Sequence, residues 1–267
     1  GAVLLGAAAL LWAAAGAYAG AYLGGKPNAV RFAAFWLLTL TGSLWVFLAA
    51  DVAGFYVAFS LASLAAYGLV VHEETPRARR AARIYLILAV AGETCLLLGL
   101  MLAAAAVPDG SLLVRDAAAA LPASPWRDAT MALLVAGFGL KAGLVPLHVW
   151  LPLAHPAAPT PASAVLSGAI VKAGIIGLIR FLPPEAALHG WGGALAWIGF
   201  FTAFYGAAVG ATQPHPKTVL AYSTLSQMGL LTAVLGAALA AGGLAAAALP
   251  AALYAAHHAL AKGALFL

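Results

Sequence analysis

Residues 141–180 read KAGLVPLHVWLPLAHPAAPTPASAVLSGAIVKAGIIGLIR, and two features of this stretch decide how the whole chain is read. Lys141 sits inside an apolar run from Ala129 to Trp150, with Pro146 five residues later, and Lys172 lies inside the next apolar run. A charge near the hydrocarbon midplane costs about 2.5–3.5 kcal/mol on insertion scales, so such residues face a bundle interior and mark ion paths. Pro146 lacks a backbone donor and crowds the Ala142 carbonyl, which predicts a helix broken just after Lys141. Carbonyls freed at membrane depth are tolerated only where protein or water satisfies them. The stretch reads as a broken helix lining a polar cavity.

The rest of the chain supplies the membrane context. AVILMFWYC residues make up 64% of it and charged residues 8%, and the mean hydropathy is +1.00. A soluble domain carries about 25% charge, so this composition predicts an integral membrane protein. Apolar runs of about 20 residues, long enough to cross the hydrocarbon core, recur along almost its whole length. The formal charge of +5 comes from basic residues scattered over short connections, not from a stripe that would suit nucleic acid. A single cysteine, Cys95, excludes an internal disulfide and a cysteine-built metal or iron–sulfur cage. The chain opens without a methionine or a charged leader and stops at GALFL inside an apolar helix, so it is expected to be a fragment open at both ends.

Taken in order, the expected spans cover about 3–23, 32–50, 54–71 and 84–106, the broken span 129–150, and then about 161–180, 191–211, 219–240 and 244–267. Asp51 closes the second, and a basic loop with Arg77, Arg79, Arg80 and Arg83 leads into the fourth. The connection 107–127 has room for a short surface helix. Thr160 and Pro161 read as a cap and first helical residue. Lys26, Arg31, Arg77, Arg79, Arg80, Arg83 and Lys217 fall in the odd-numbered connections, and Arg115, Arg127 and Arg180 in the even ones. The positive-inside rule puts the odd set in the cytoplasm.

Glu93, Lys141, Lys172 and Lys262 remain inside predicted spans. Lys141, Lys172 and Glu93 are too central to snorkel, and a carboxylate beside a lysine makes a pair whose proton affinity changes with separation. The alternative is a static ion pair that fixes helix register. Tyr254, His258 and Lys262 follow at spacing four, which projects a phenol, an imidazole and an ammonium from one helix face, as a proton relay needs. His257 points a quarter-turn away. His148 suits a hydrogen bond to a freed carbonyl as well as proton carriage, and the serines and threonines near 163–167 and 223–226 suit interhelical bonding. There is no nucleophile with a base, no metal-ligand spacing and no phosphate-binding glycine loop, so no cofactor is expected on this chain.

Three ordered motifs carry a resemblance. They are KAGLVPLHVWLPLAHPAAPTPASA from Lys141, KTVLAYSTLSQMG from Lys217 to Gly229, and HALAKGALFL from His258 to Leu267. They resemble the antiporter-like membrane subunits of respiratory complex I (chains L, M and N), the Mrp cation/proton antiporter subunits and the membrane subunits of energy-converting hydrogenases. The resemblance implies an all-α polytopic bundle of about fourteen helices in two inverted five-helix repeats, of which 31–182 would be the first and 190–267 the start of the second. It implies a proton path through Lys141, Lys172, His258 and Lys262, with other membrane subunits and the bilayer as partners, in a bacterial or archaeal cytoplasmic membrane. Protons, and in the Mrp case Na+ or K+, would be the ions moved.

The sequence departs from the family at Phe59-Ser60, where a Trp-Glu pair is usual, at Tyr254, where a histidine is expected, and at His215, where an acid is usual. Either Glu93 replaces the family glutamate as partner of Lys141, or the first half-channel is altered. A subunit of an NADH:quinone oxidoreductase-like or hydrogenase complex, an Mrp-type antiporter subunit and a non-pumping scaffold are the three readings that follow.

Overall fold

A computed structural model describes residues 1–25 and 27–267; Lys26, one of the cations counted for orientation, lies outside them. The described residues form helices α1 (Ala2–Leu23), α2 (Ala29–Leu48), α3 (Val52–Val70), α4 (Pro76–Ala105), α5 (Val114–Ala120), α6 (Arg127–Ala142), α7 (Trp150–Ala157), α8 (Thr160–Val165), α9 (Val171–Phe181), α10 (His189–Ala211), α11 (Pro216–Ala240) and α12 (Leu244–Phe266). No strand forms among them. A π turn, Leu166–Ile170, joins α8 to α9 into one rod. Eight helices are long and apolar enough to cross a membrane, and the broken pair α6 and α7 is the ninth expected span.

The rod Thr160–Phe181 is the centre of the bundle: 94% of its apolar window is buried, against 33–56% for the other spans. Its lysine therefore has no route to the lipid surface. The outer helices turn large apolar side chains outward, among them Leu37, Ile87, Met101, Trp197, Phe201 and Phe204, as a hydrocarbon solvent allows.

Connections on each face of the bundle are tied to one another. Arg31 at the start of α2 pairs with Glu74 between α3 and α4. Lys217 donates to Ala158 O, between α7 and α8, at 2.8 Å. On the opposite face Val52 N–H bonds Leu112 O, Arg180 donates to Ala49 O, and Trp191 Nε1 donates to Asp128 Oδ1 at 2.9 Å. The odd connections that these bonds describe thus share one face and the even ones the other, the alternation that the charge count required.

Several boundaries differ from the sequence reading. The arginines 77–83 lie within the first turns of α4, whose start is capped by Thr75 Oγ1 accepting from Ala78 N–H, with Pro76 at the first position. Thirty residues span about 45 Å against a hydrocarbon core of about 30 Å, so these turns project beyond it. Asp51 caps α3 by accepting from Gly54 N–H at 2.7 Å; it begins that helix instead of closing α2. Pro159, not Thr160, stands at the cap of α8, and no side chain caps that start. Lys217 belongs to the first turn of α11.

Small residues set the closest helix contacts. A Cβ on Gly199 would lie 2.3 Å from Ala233 N, and one on Gly236 would lie 2.3 Å from Ala196 N, so α10 and α11 meet backbone to backbone.

Candidate functional site

The break that carries Lys141 is built by Gly143. Its φ of +82° lets Gly143 N–H reach Leu140 O at 3.2 Å and Leu144 N–H reach Gly139 O at 2.8 Å, the paired bonds of a Schellman stop. Pro146 follows and keeps the helix from resuming before Trp150. The Leu140 carbonyl also accepts from Trp150 Nε1 at 2.8 Å, and Val145 N–H finds Thr202 Oγ1 at 3.1 Å. Protein groups thus supply the partners that the break requires. Lys141 lies in the last turn of α6, where the helix dipole favours a cation.

Lys141 is buried, and its Nζ donates to Ser63 Oγ of α3. The ammonium also stands 5.3 Å from the Phe59 ring centroid and 5.6 Å from that of Tyr85, within cation–π range. Tyr85 is held in place by donating to Ser63 O at 2.6 Å. Glu93 of α4 is 5% exposed, and Ser60, Ser63 and Lys141 are the groups its carboxyl interacts with. The ion pairs among the described residues are Arg31–Glu74, Arg115–Asp116 and Arg127–Asp128, so Glu93 and Lys141 are not in direct contact. Glu93 Oε1 and Ser60 Oγ are buried without hydrogen-bond partners. The acid on α4 therefore faces the residue where the family glutamate would stand on α3.

A second group forms around Lys172, which is 1% exposed. Its Nζ lies 2.6 Å from His258 Nδ1 and donates to Ser167 O at 2.6 Å. Val171 N–H bonds Leu166 O in the π pattern, and such turns free backbone groups at functional sites. Ser167 Oγ meets Thr224 Oγ1 at 2.8 Å, and Lys262 Nζ donates to Leu220 O at 3.2 Å. The central rod, α11 and α12 are thus joined through polar atoms. Among the described residues no hydrogen bond connects this group with Lys141.

The supporting residues divide. His148 is buried against Tyr205, with ring centroids 5.0 Å apart, and its Nδ1 has no partner. Tyr254 departs from the expected stack: it is 40% exposed and donates to Gln227 Oε1, and His257 beside it is also exposed. Residues four apart on a helix drift by about 40°, so the face that carries His258 and Lys262 inward turns Tyr254 out. His155 lies fully buried in α7. Among the described residues no group of three or more His, Cys, Asp or Glu side chains is placed to hold a metal.

Residues 49–267 match the family model described as NADH:quinone oxidoreductase/Mrp antiporter, TM. An uncharacterized protein of Mycobacterium tuberculosis is 40% identical over 226 residues, 81% of this chain and 33% of that protein. Hydrogenase-4 component B of Escherichia coli is 34% identical, covering 76% of this chain and 29% of its own length. NADH-quinone oxidoreductase subunit N of Desulforudis audaxviator is 34% identical over 93% of this chain and 50% of its own length. The chain therefore spans between about a third and a half of these relatives. A chain in the structure of the Mrp complex from Dietzia sp. superposes with a TM-score of 0.87 at 32% identity, over 99% of this chain and 29% of that one. An all-α membrane bundle, with the broken helix and buried lysines that the three motifs announced, belongs to the NADH:quinone oxidoreductase/Mrp antiporter transmembrane family.

Proposed function

We propose that this chain is the proton-carrying part of a membrane subunit in a complex I-like or membrane-bound hydrogenase assembly, with redox chemistry on other subunits. The observation that carries this reading is the direct contact of Lys172 Nζ with His258 Nδ1, in a helix rod with no exit to lipid. Two basic groups that share a hydrogen bond in a low-dielectric interior can pass a proton without a protein rearrangement. Glu93 and Lys141 form the switch of the other group: because Ser63 stands between them, a small shift changes their separation and with it the lysine's hold on its proton. Residues 31–182 are taken as the first inverted repeat and 190–267 as the start of the second.

The test is proton uptake by inverted vesicles that carry the full-length protein in its native complex. Lys172→Ala should abolish uptake with assembly preserved. Unchanged uptake would end the proton-carrier reading and leave a scaffold.

The likeness to a chain of the Mrp complex favours a second reading, exchange of Na+ or K+ for protons. Uptake driven by an imposed Na+ gradient without electron donor would select it.

A further inference from the structure

His155 has no part in the groups described above, yet it is the most enclosed titratable side chain near them. Its ring is fully buried, and neither Nδ1 nor Nε2 has a hydrogen-bond partner among the described residues. A neutral imidazole carries one N–H and one acceptor nitrogen, and buried groups of this kind are paired with protein or ordered water. One ring face stacks on Phe266, with centroids 4.8 Å apart and planes 19° from parallel. Both nitrogens sit on the ring edge, which that stack leaves unpaired.

The charged groups that act on this ring come from three helices: Lys217 of α11, Lys262 of α12 and Lys172 of α9. No carboxylate is among them. Lys217 is anchored on Ala158 O, three residues beyond His155, at the face shared by the odd-numbered connections. Glu73, on that same face, also acts on Lys217. Lys172 and Lys262 belong to the central group. His155 is therefore in electrostatic reach of both the membrane face and the bundle centre.

We infer that His155 is a proton-carrying site that joins Lys217 to the Lys172–His258–Lys262 group through water bonded to its ring edge. The inference rests on the proton-carrier reading of the chain. The ring gains a proton at one nitrogen and gives one up from the other, so its composition is unchanged and no electron moves. Like charges in one low-dielectric cluster disfavour each other, so a proton arriving at Lys217 favours the departure of one deeper in. The ring's position sets Lys217 as the entry on this side.

The experiment measures proton uptake by the native complex in vesicles for His155→Phe, Lys217→Met, the double variant and Lys172→Ala, with assembly followed on native gels. Phenylalanine keeps the stack on Phe266 and removes both nitrogens. His155→Phe is expected to assemble normally and to lose about a hundred-fold in uptake rate, the lower end of what one general acid–base group contributes. The double variant should lose no more than the worse single variant, because groups in series fail together, whereas independent packing defects multiply. Undiminished uptake in His155→Phe, or multiplied losses in the double variant, would overturn the inference while a dead Lys172→Ala left the proton-carrier reading standing. Full uptake in Lys172→Ala would bring both down.

Discussion

Lys172 Nζ and His258 Nδ1 lie 2.6 Å apart across 86 residues of sequence, and the same amine donates to Ser167 O on its own rod. The lysine is thereby fixed between a backbone carbonyl that cannot titrate and an imidazole that can. Removal of the imidazole takes away its titratable partner. His258→Ala should therefore lower proton uptake by about a hundred-fold, and adding it to Lys172→Ala should cause no further loss. Undiminished uptake by vesicles carrying His258→Ala would show that the contact is only structural.

The facing of Ser60 and Glu93 makes a carboxylate swap informative. Glu93→Gln should remove uptake and leave assembly intact. Ser60→Glu combined with Glu93→Ser returns the acid to α3 across the same gap and should restore a measurable part of it. If Glu93→Gln pumps as the parent does, the acid serves packing alone.

Gly143 holds a left-handed conformation that costs an alanine about 1–2 kcal/mol. Gly143→Ala should lower the thermal midpoint in detergent, and Gly143→Asn should lower it less, because asparagine tolerates this region. The space at the position admits a Cβ, which would meet Leu151 Cδ1 at 3.4 Å, an ordinary contact. The effect should therefore follow the backbone and not side-chain volume.

Outside the bilayer, the Arg31 guanidinium bonded to Glu74 holds that carboxyl below its ordinary value of 4.5. A depressed folded-state value gives stability that is present above about pH 4.5 and is lost as pH falls through the lower, folded-state value. The carboxyl is exposed, so the contribution is small. Glu74→Gln should flatten the acid limb of a stability–pH curve in that window, because it loses this small contribution at neutral pH and changes nothing at the acid end.

The sequence made the break legible because Lys141, Pro146 and Lys172 each violate what a lipid-facing helix allows. His258 and Lys262 were legible for the same reason. The π turn was not, since Leu166–Ile170 is as apolar as any helical turn and only the backbone shows it. The start of α4 carried a readable signal in Thr75-Pro76, the same pattern used at Thr160-Pro161, but the arginines that follow look like a loop. Tyr254 was misplaced because spacing four accumulates rotation along a helix. His155 is flanked by Pro152, Pro156 and Pro159, and nothing local says that its side chain is buried; only packing of α7 against Phe266 reveals it.

The glycine contacts between α10 and α11 also have an electrical consequence. Backbones that meet without room for a Cβ leave none for a file of water, so this hairpin insulates. The other side of α11, where Thr224 meets Ser167 and Leu220 O receives Lys262, is its polar flank. A charge carried across the whole membrane along that flank would involve about 2.3 kcal/mol per 100 mV. One helix thus presents a dry flank that leaves no room for water and a polar flank that faces the buried lysines.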